Sequence, residues 1–209
     1  MIIPAILEKN IEEIKRKIGF IDGRCEFIQI DIADGKFLSE SSYASIENIA
    51  AIEPISKLEI HLMAENPELF VEERYPSIFK ISAHIETKGI ENFIRNAVAK
   101  KYIVGVSVSP ETPLETIDNL PGGISFVQFL TARPGKQGNQ IIKEVFPKIS
   151  VFRQNHPGVR IQADGGINES NLQEVLNLGV DDVVIGSAIF DSQDPAITLA
   201  RFREVKMER

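Results

Sequence analysis

Cysteine is nearly absent from this chain: Cys25 is the single one in 209 residues. It can form no internal disulfide, which fits a reducing compartment. Basic residues are also in deficit, 23 Lys and Arg against 30 Asp and Glu, for a net charge of −7. That balance argues against a nucleic-acid surface. It leaves an anionic small ligand open, because a local pocket can oppose the net charge. No apolar run is long enough to span a bilayer, and the start, Met1-Ile2-Ile3-Pro4, lacks the basic region of a signal peptide. The expectation is a cytoplasmic protein with neither membrane nor nucleic acid as a partner. A Gly-x-Gly-x-x-Gly fingerprint is missing after the first apolar run, which weakens a dinucleotide-binding reading. Linkers, low-complexity tracts and breaks in composition are missing too. Residues 1–209 are therefore expected to form one domain.

What the chain does have is a regular alternation. Short apolar runs at 2–7, 27–31, 58–63, 79–84, 103–108, 124–130, 159–163 and 182–185 read as strands. Between them lie amphipathic stretches at 10–18, 42–52, 90–99, 141–152, 171–178 and 195–205, with shorter helical starts at Asn66-Pro67-Glu68 and Thr112-Pro113-Leu114. Asn10 is placed as a cap. Eight strand–helix units imply right-handed crossovers and a parallel sheet, and favour a closed (β/α)8 TIM barrel of the α/β class.

Barrel enzymes carry their sites at the C-terminal ends of the strands. The second strand is the most telling. Phe27-Ile28-Gln29-Ile30-Asp31-Ile32-Ala33-Asp34-Gly35 begins as a buried run and ends in carboxylates and glycine. Gln29 and Asp31 share one face and need partners or a ligand. Asp34 is also explained as a cap; Asp31, inside the run, is not. At the other strand ends lie His61 and Met63, His84 and Glu86, Arg133 through Gly138, Asp164-Gly165-Gly166, and Gly186-Ser187. Glycine turns on three successive strands suit a phosphate, although each turn alone reads equally as structural. Arg133 and Lys136 are either anion contacts or solvated loop charges. A lone His61 would by default be a core histidine, and His156 lies in a surface turn. The alternation that turns Asp31, His61, His84 and Asp164 inward also turns Glu59, Lys80 and Gln162 inward, one layer deeper. Glu59 and Lys80 are expected to pair there.

Seven pieces in order then carry a resemblance: Pro4-Ala5-Ile6-Leu7, Asp31-Ile32-Ala33-Asp34-Gly35, His61-Leu62-Met63-Ala64-Glu65-Asn66-Pro67, Pro110-Glu111-Thr112-Pro113-Leu114, Pro134-Gly135, Asp164-Gly165-Gly166-Ile167-Asn168 and Gly186-Ser187-Ala188-Ile189-Phe190. Over essentially its whole length the chain is similar to the ribulose-phosphate 3-epimerase family. The resemblance implies a TIM barrel of the ribulose-phosphate-binding type that interconverts D-ribulose 5-phosphate and D-xylulose 5-phosphate. It makes Asp31 and Asp164 the acid/base pair. A divalent metal ion (Zn, Fe, Mn or Mg) would be held by Asp31, His61 and Asp164, with position 29 as a further ligand. It implies substrate and phosphate contacts at Met63, Gly135, Gly138, Gly165, Gly166, Gly186 and Ser187, a phosphosugar as the small-molecule partner, and a homo-oligomer.

The departures fall in the site. Gln29 stands where the family pattern has histidine, Ala5 where it has serine, and Ala33 where it has methionine. The phosphate loop reads Pro-Gly-Lys136-Gln137-Gly138-Asn139. Amide oxygen is a poor zinc ligand beside imidazole, so Gln29 is expected to leave a weakly held metal, or none. Two other readings stay open: another phosphosugar enzyme on the same barrel, such as a hexulose-phosphate synthase or decarboxylase relative, and a non-catalytic phosphosugar-binding protein.

Overall fold

The computed structural model describes residues 1–135 and 138–207. Its strands are β1 (Ile2–Ile6), β2 (Phe27–Ala33), β3 (Lys57–Met63), β4 (Ile78–His84), β5 (Ile103–Val108), β6 (Ile124–Leu130), β7 (Arg160–Asp164) and β8 (Asp182–Ile185). They close into one parallel barrel in chain order, with β8 pairing back onto β1. The helices are α1 (Ile11–Ile21), α2 (Ile46–Ala50), α3 (Ile90–Ala99), α4 (Glu115–Asp118), α5 (Phe146–Asn155), α6 (Leu172–Asn177), α7 (Ser187–Phe190) and α8 (Pro195–Met207). Among the described residues no helix is long and apolar enough to cross a membrane.

The strand period of two divides the core. Ile28, Ile30 and Ile32 of β2 join Leu58, Ile60, Leu62, Val104, Val106 and Val108 in a large apolar cluster with Phe93 and Ile94 of α3 and Phe152 of α5. This is the shell between sheet and helices. The other face of each strand fills the barrel, and its apolar cluster is small: Ile3, Ala5, Phe27 and Val184. Most of the interior is polar. Gln29, Glu59, His61, Lys80, Ser82, His84, Ser107, Gln128, Gln162 and Asp182 are all buried. Gly105 lies on the same face, where a Cβ would meet the Phe126 ring at 2.2 Å.

The expected pair is present one layer below the mouth. Glu59 and Lys80 are register partners on β3 and β4, and Lys80 Nζ lies 3.2 Å from Glu59 Oε2. The contact is ionic without hydrogen-bond geometry. Gln162 Nε2 donates to Glu59 Oε1 at 2.5 Å, and the ammonium also sits 4.3 Å from the Phe27 ring centroid. Burial pushes the Glu59 carboxyl up, against the pull of Lys80 and Gln162.

Several helices differ from their sequence reading for local reasons. Asn10 caps α1 through Glu13 N–H at 2.9 Å, and the helix runs on to Ile21. The second helix starts at Ile46 rather than Ser42. Ser42 is held back by its hydroxyl, which donates to Asp31 O at 2.9 Å and accepts from Ala33 N at 2.8 Å. Asn66 makes no cap bond, and Pro67–Val71 is a 3-10 turn. Thr112 does not cap either; its hydroxyl donates to Glu86 instead. The stretch expected as one helix from 141 divides into a 3-10 turn, Lys143–Val145, and α5. Pro147 fits only the first turn of a helix, so α5 begins beside it. The short α7, after β8, has no counterpart in the sequence reading.

Candidate active site

A pocket opens at the C-terminal end of the barrel. It is lined by Asp31, His61, Met63, Gly135, Gly138, Asp164, Gly165, Gly166, Gly186 and Ser187, together with Ala5, Ala132, Arg133 and Asn139. Every residue that the family resemblance assigns to the site lines it except Gln29, which lies fully buried below; the strand-end residues Asp34, His84 and Glu86 do not line it. Lys136 and Gln137 lie outside the described residues. His156 is remote, stacked on Phe152 at the α5 terminus.

The polar half comes from β2, β3 and β7. Gln29 Nε2 donates to Asp31 Oδ1 at 2.7 Å and to Asp164 Oδ2 at 2.9 Å. His61 Nδ1 faces the same two oxygens at 3.2 and 3.7 Å. Behind it, His61 Nε2 lies 3.2 Å from His84 Nε2, and His84 Nδ1 lies 3.1 Å from Glu86 Oε2. A carboxylate only accepts, so the Nδ1 of His84 carries the proton and its Nε2 accepts from His61. His61 Nδ1 then faces the carboxylate pair: unprotonated it can ligate an ion, and protonated it donates to Asp31.

Burial lowers the proton affinity of His61, but the hydrogen bond to Asp31 and the charges of Asp31 and Asp164 reverse this and raise it. Burial and the neighbouring charge of Asp31 raise the Asp164 carboxyl to about 7, against His61, Gln29 and Gln128. Two carboxylates this close do not readily share the charged state. Asp31, His61 and Asp164 each offer one ligand atom, all within 4.8 Å of one another. Three such donors in one cluster are enough for a divalent ion with one position left open, so these three residues could hold one.

The glycine half is built by lashing the loops after β6 and β7 together. Thr131 N donates to Asp164 O at 2.6 Å, and the Thr131 hydroxyl to Gly165 O at 2.6 Å. A Cβ on Gly165 would lie 2.9 Å from Ala132 N, and one on Gly166 2.6 Å from Ile141 N. Both have positive φ, +115° and +70°. Close loop packing and positive φ each call for glycine at both positions. Asn171 fastens the turn, donating to Gly166 O at 2.9 Å and accepting from Asn168 N at 2.8 Å. Asp34 has a similar task. Its carboxylate accepts from Lys36 N at 2.8 Å, Phe37 N at 3.0 Å and Glu65 N at 2.9 Å, tying the loops after β2 and β3.

Sequence reading passed over Gln128. It is buried on β6, and its Nε2 donates to Asp164 Oδ2 and, at 3.2 Å, to Gln29 Oε1. The signal was available: the alternation that turns Gln162 inward does the same for its register partner Gln128.

The closed parallel barrel, with its polar cluster at the strand C-termini, makes this one of the (β/α)8-barrel enzymes. The family model "Ribulose-phosphate 3 epimerase family" matches residues 1–190. The chain belongs to the ribulose-phosphate 3-epimerase family and is an enzyme of the epimerase class. It is 28% identical to the ribulose-phosphate 3-epimerase of Synechocystis sp., covering 99% of this chain and 94% of that one. It is 25% identical to that of Schizosaccharomyces pombe, covering 99% and 94%. Among solved structures, 3-hexulose-6-phosphate synthase from Salmonella typhimurium superposes with a TM-score of 0.73 at 19% identity, covering 99% and 98%. That likeness concerns the fold alone.

Proposed function

We propose that this enzyme interconverts D-ribulose 5-phosphate and D-xylulose 5-phosphate by moving a proton at C3 between Asp31 and Asp164. The observation that carries the reading is the convergence of two carboxylates, from β2 and β7, on one pocket whose far side is built of glycine turns. One carboxylate takes the C3 proton, and the C–H electrons move into the C2–C3 bond while the C2 carbonyl oxygen becomes an enediolate oxygen. The other carboxyl gives its proton to C3 from the opposite face, which inverts the centre. Gly138, Gly165, Gly166, Gly186 and Ser187 border the part of the pocket assigned to the phosphate, with Met63 and Gly135 against the sugar. When bound, a divalent ion supplies Lewis-acid stabilisation of the enediolate oxygen, and Asp31, His61 and Asp164 are the residues that would hold it. Gln29, which meets the ligand oxygens with amide N–H groups, would weaken the hold of those residues on such an ion.

Ribulose 5-phosphate incubated with the enzyme in deuterated water tests the reading by NMR. Deuterium is expected at C3, with xylulose 5-phosphate accumulating. No C3 exchange across a full series of added divalent ions would end it.

A further inference from the structure

The carboxylate pair is approached from below by a chain of buried amides whose sense is fixed. With both carboxyls ionised, as ion binding requires, their oxygens only accept, so the Gln29 head that lies between Asp31 Oδ1 and Asp164 Oδ2 offers both its N–H groups there. Its carbonyl then faces inward, where Gln128 Nε2 donates to it at 3.2 Å. Gln128 is itself held the same way round: its Oε1 accepts from the Ser82 hydroxyl at 3.0 Å and the Ser107 hydroxyl at 2.9 Å. Its Nε2 also reaches Asp164 Oδ2. Gln29, Ser82, Ser107 and Gln128 are completely buried. The donors thus run in one direction, from hydroxyls on β4 and β5, through an amide on β6, to carboxylates on β2 and β7.

The two oxygens that receive these N–H groups are the two that face His61 Nδ1. They are the oxygens an ion would need. For Gln29 to meet an ion with its carbonyl, its amide must turn over. Its N–H groups would then oppose those of Gln128, so Gln128 must turn as well. The serine hydroxyls, which can donate or accept, must swing round to match. The four groups act as one coupled unit.

We infer that Gln128 is a positioning residue: it keeps the Gln29 amide turned N–H-first toward the carboxylate pair and so holds the site closed to divalent ions. The inference rests on the reading of Asp31, His61 and Asp164 as ion ligands. It is independent of C3 exchange, which tests the epimerase reading separately.

The experiment compares wild type, Gln128→Leu, Gln29→Leu and the double variant. Each is stripped with chelator and titrated with Zn2+ against a chromophoric chelator, and each is melted in EDTA. Both single substitutions are expected to raise Zn2+ affinity by about tenfold, matching in size and opposite in sign the loss seen when a supporting group behind a metal ligand is removed. Both are expected to lower the melting temperature of the stripped protein. In the Gln29→Leu background, the Gln128 substitution should add little. Unchanged or weaker Zn2+ binding in Gln128→Leu with a native circular dichroism spectrum overturns the inference. So does a fall in Gln29→Leu, which would make the Gln29 carbonyl a ligand already. Fully additive effects also overturn it, since Gln128 would then act on Asp164 directly. Should Gln128→Leu fail to fold, Gln29→Leu alone decides: a rise supports the inference, and no change or a fall overturns it.

Discussion

Lys80 is the residue on which the barrel interior depends most simply. Its ammonium is the cation set against a Glu59 carboxylate with no exposure, and Asp182 lies 3.8 Å away on the other side. Replacing Lys80 by Met leaves the Glu59 carboxylate without its counter-ion, whereas Asp182 keeps Arg160 at 2.6 Å, and should cost about 3–5 kcal/mol in urea denaturation. Replacing Glu59 by Leu in the same chain should recover part of that loss, since exchanging both partners for apolar groups is far cheaper than orphaning one. This pair was legible in the sequence, because strand alternation alone turned both side chains inward. Asp31, His61 and Asp164 were legible from their places at the C-terminal ends of the strands, and their roles from the family resemblance. Gln128 was not, because an amide in a strand announces no chemistry until its partners are known. Gln29 was noticed through its position, but which way its amide faces depends on Ser82 and Ser107, 53 and 78 positions away by their numbers in the chain.

At the level of elements, the loops are held by specific clasps that the sequence reading mistook for caps. Thr112 was read as a helix cap. Its hydroxyl instead donates to Glu86, which also accepts from Ser109 N at 2.9 Å and joins the loops after β4 and β5. Local spacing cannot distinguish a cap from a clasp when the partner lies on another strand. Burial pushes the Glu86 carboxyl up, but His84, Thr112 and Ser109 together pull it down from 4.5 to about 2. A carboxyl lowered on folding stabilises the native state above its unfolded value, and that stability is lost as pH falls from about 4.5 toward 2. Burial also lowers the His84 imidazole below its ordinary value, so its protonation adds loss in the same direction as pH falls below 6.5. Glu86→Gln should therefore lose about 2–3 kcal/mol at neutral pH and show a flatter acid limb, read from denaturation midpoints between pH 7 and 3. The glycine clasp yields a different expectation. Gly166→Ala places a methyl group 2.6 Å from Ile141 N at a φ of +70°. It should push the loop after β6 off the loop after β7, raising KM for the phosphosugar more than it lowers kcat.

Across the whole molecule, the apolar shell and the polar lining do separate work. Phe129 is fully buried in the shell, edge-on to Phe152 at 5.3 Å between centroids. Phe129→Ala should cost about 3–5 kcal/mol in stability while leaving kcat per folded molecule close to wild type. The closed fold was the most legible feature of all, since eight repeats of one unit leave few other ways to bury their faces. What repetition could not convey was how wet in character the barrel's inside is. That has a thermodynamic consequence. The heat capacity of unfolding and the denaturant slope both follow the apolar area exposed. Most of that area lies between the sheet and the helices, with Ile3, Ala5, Phe27, Phe126 and Val184 among the inner exceptions. Exchanges among the lining residues should thus slide the unfolding curve along the denaturant axis without changing its steepness. A barrel built this way can have its inner surface rewritten, one polar letter at a time, inside an envelope whose calorimetric signature stays the same.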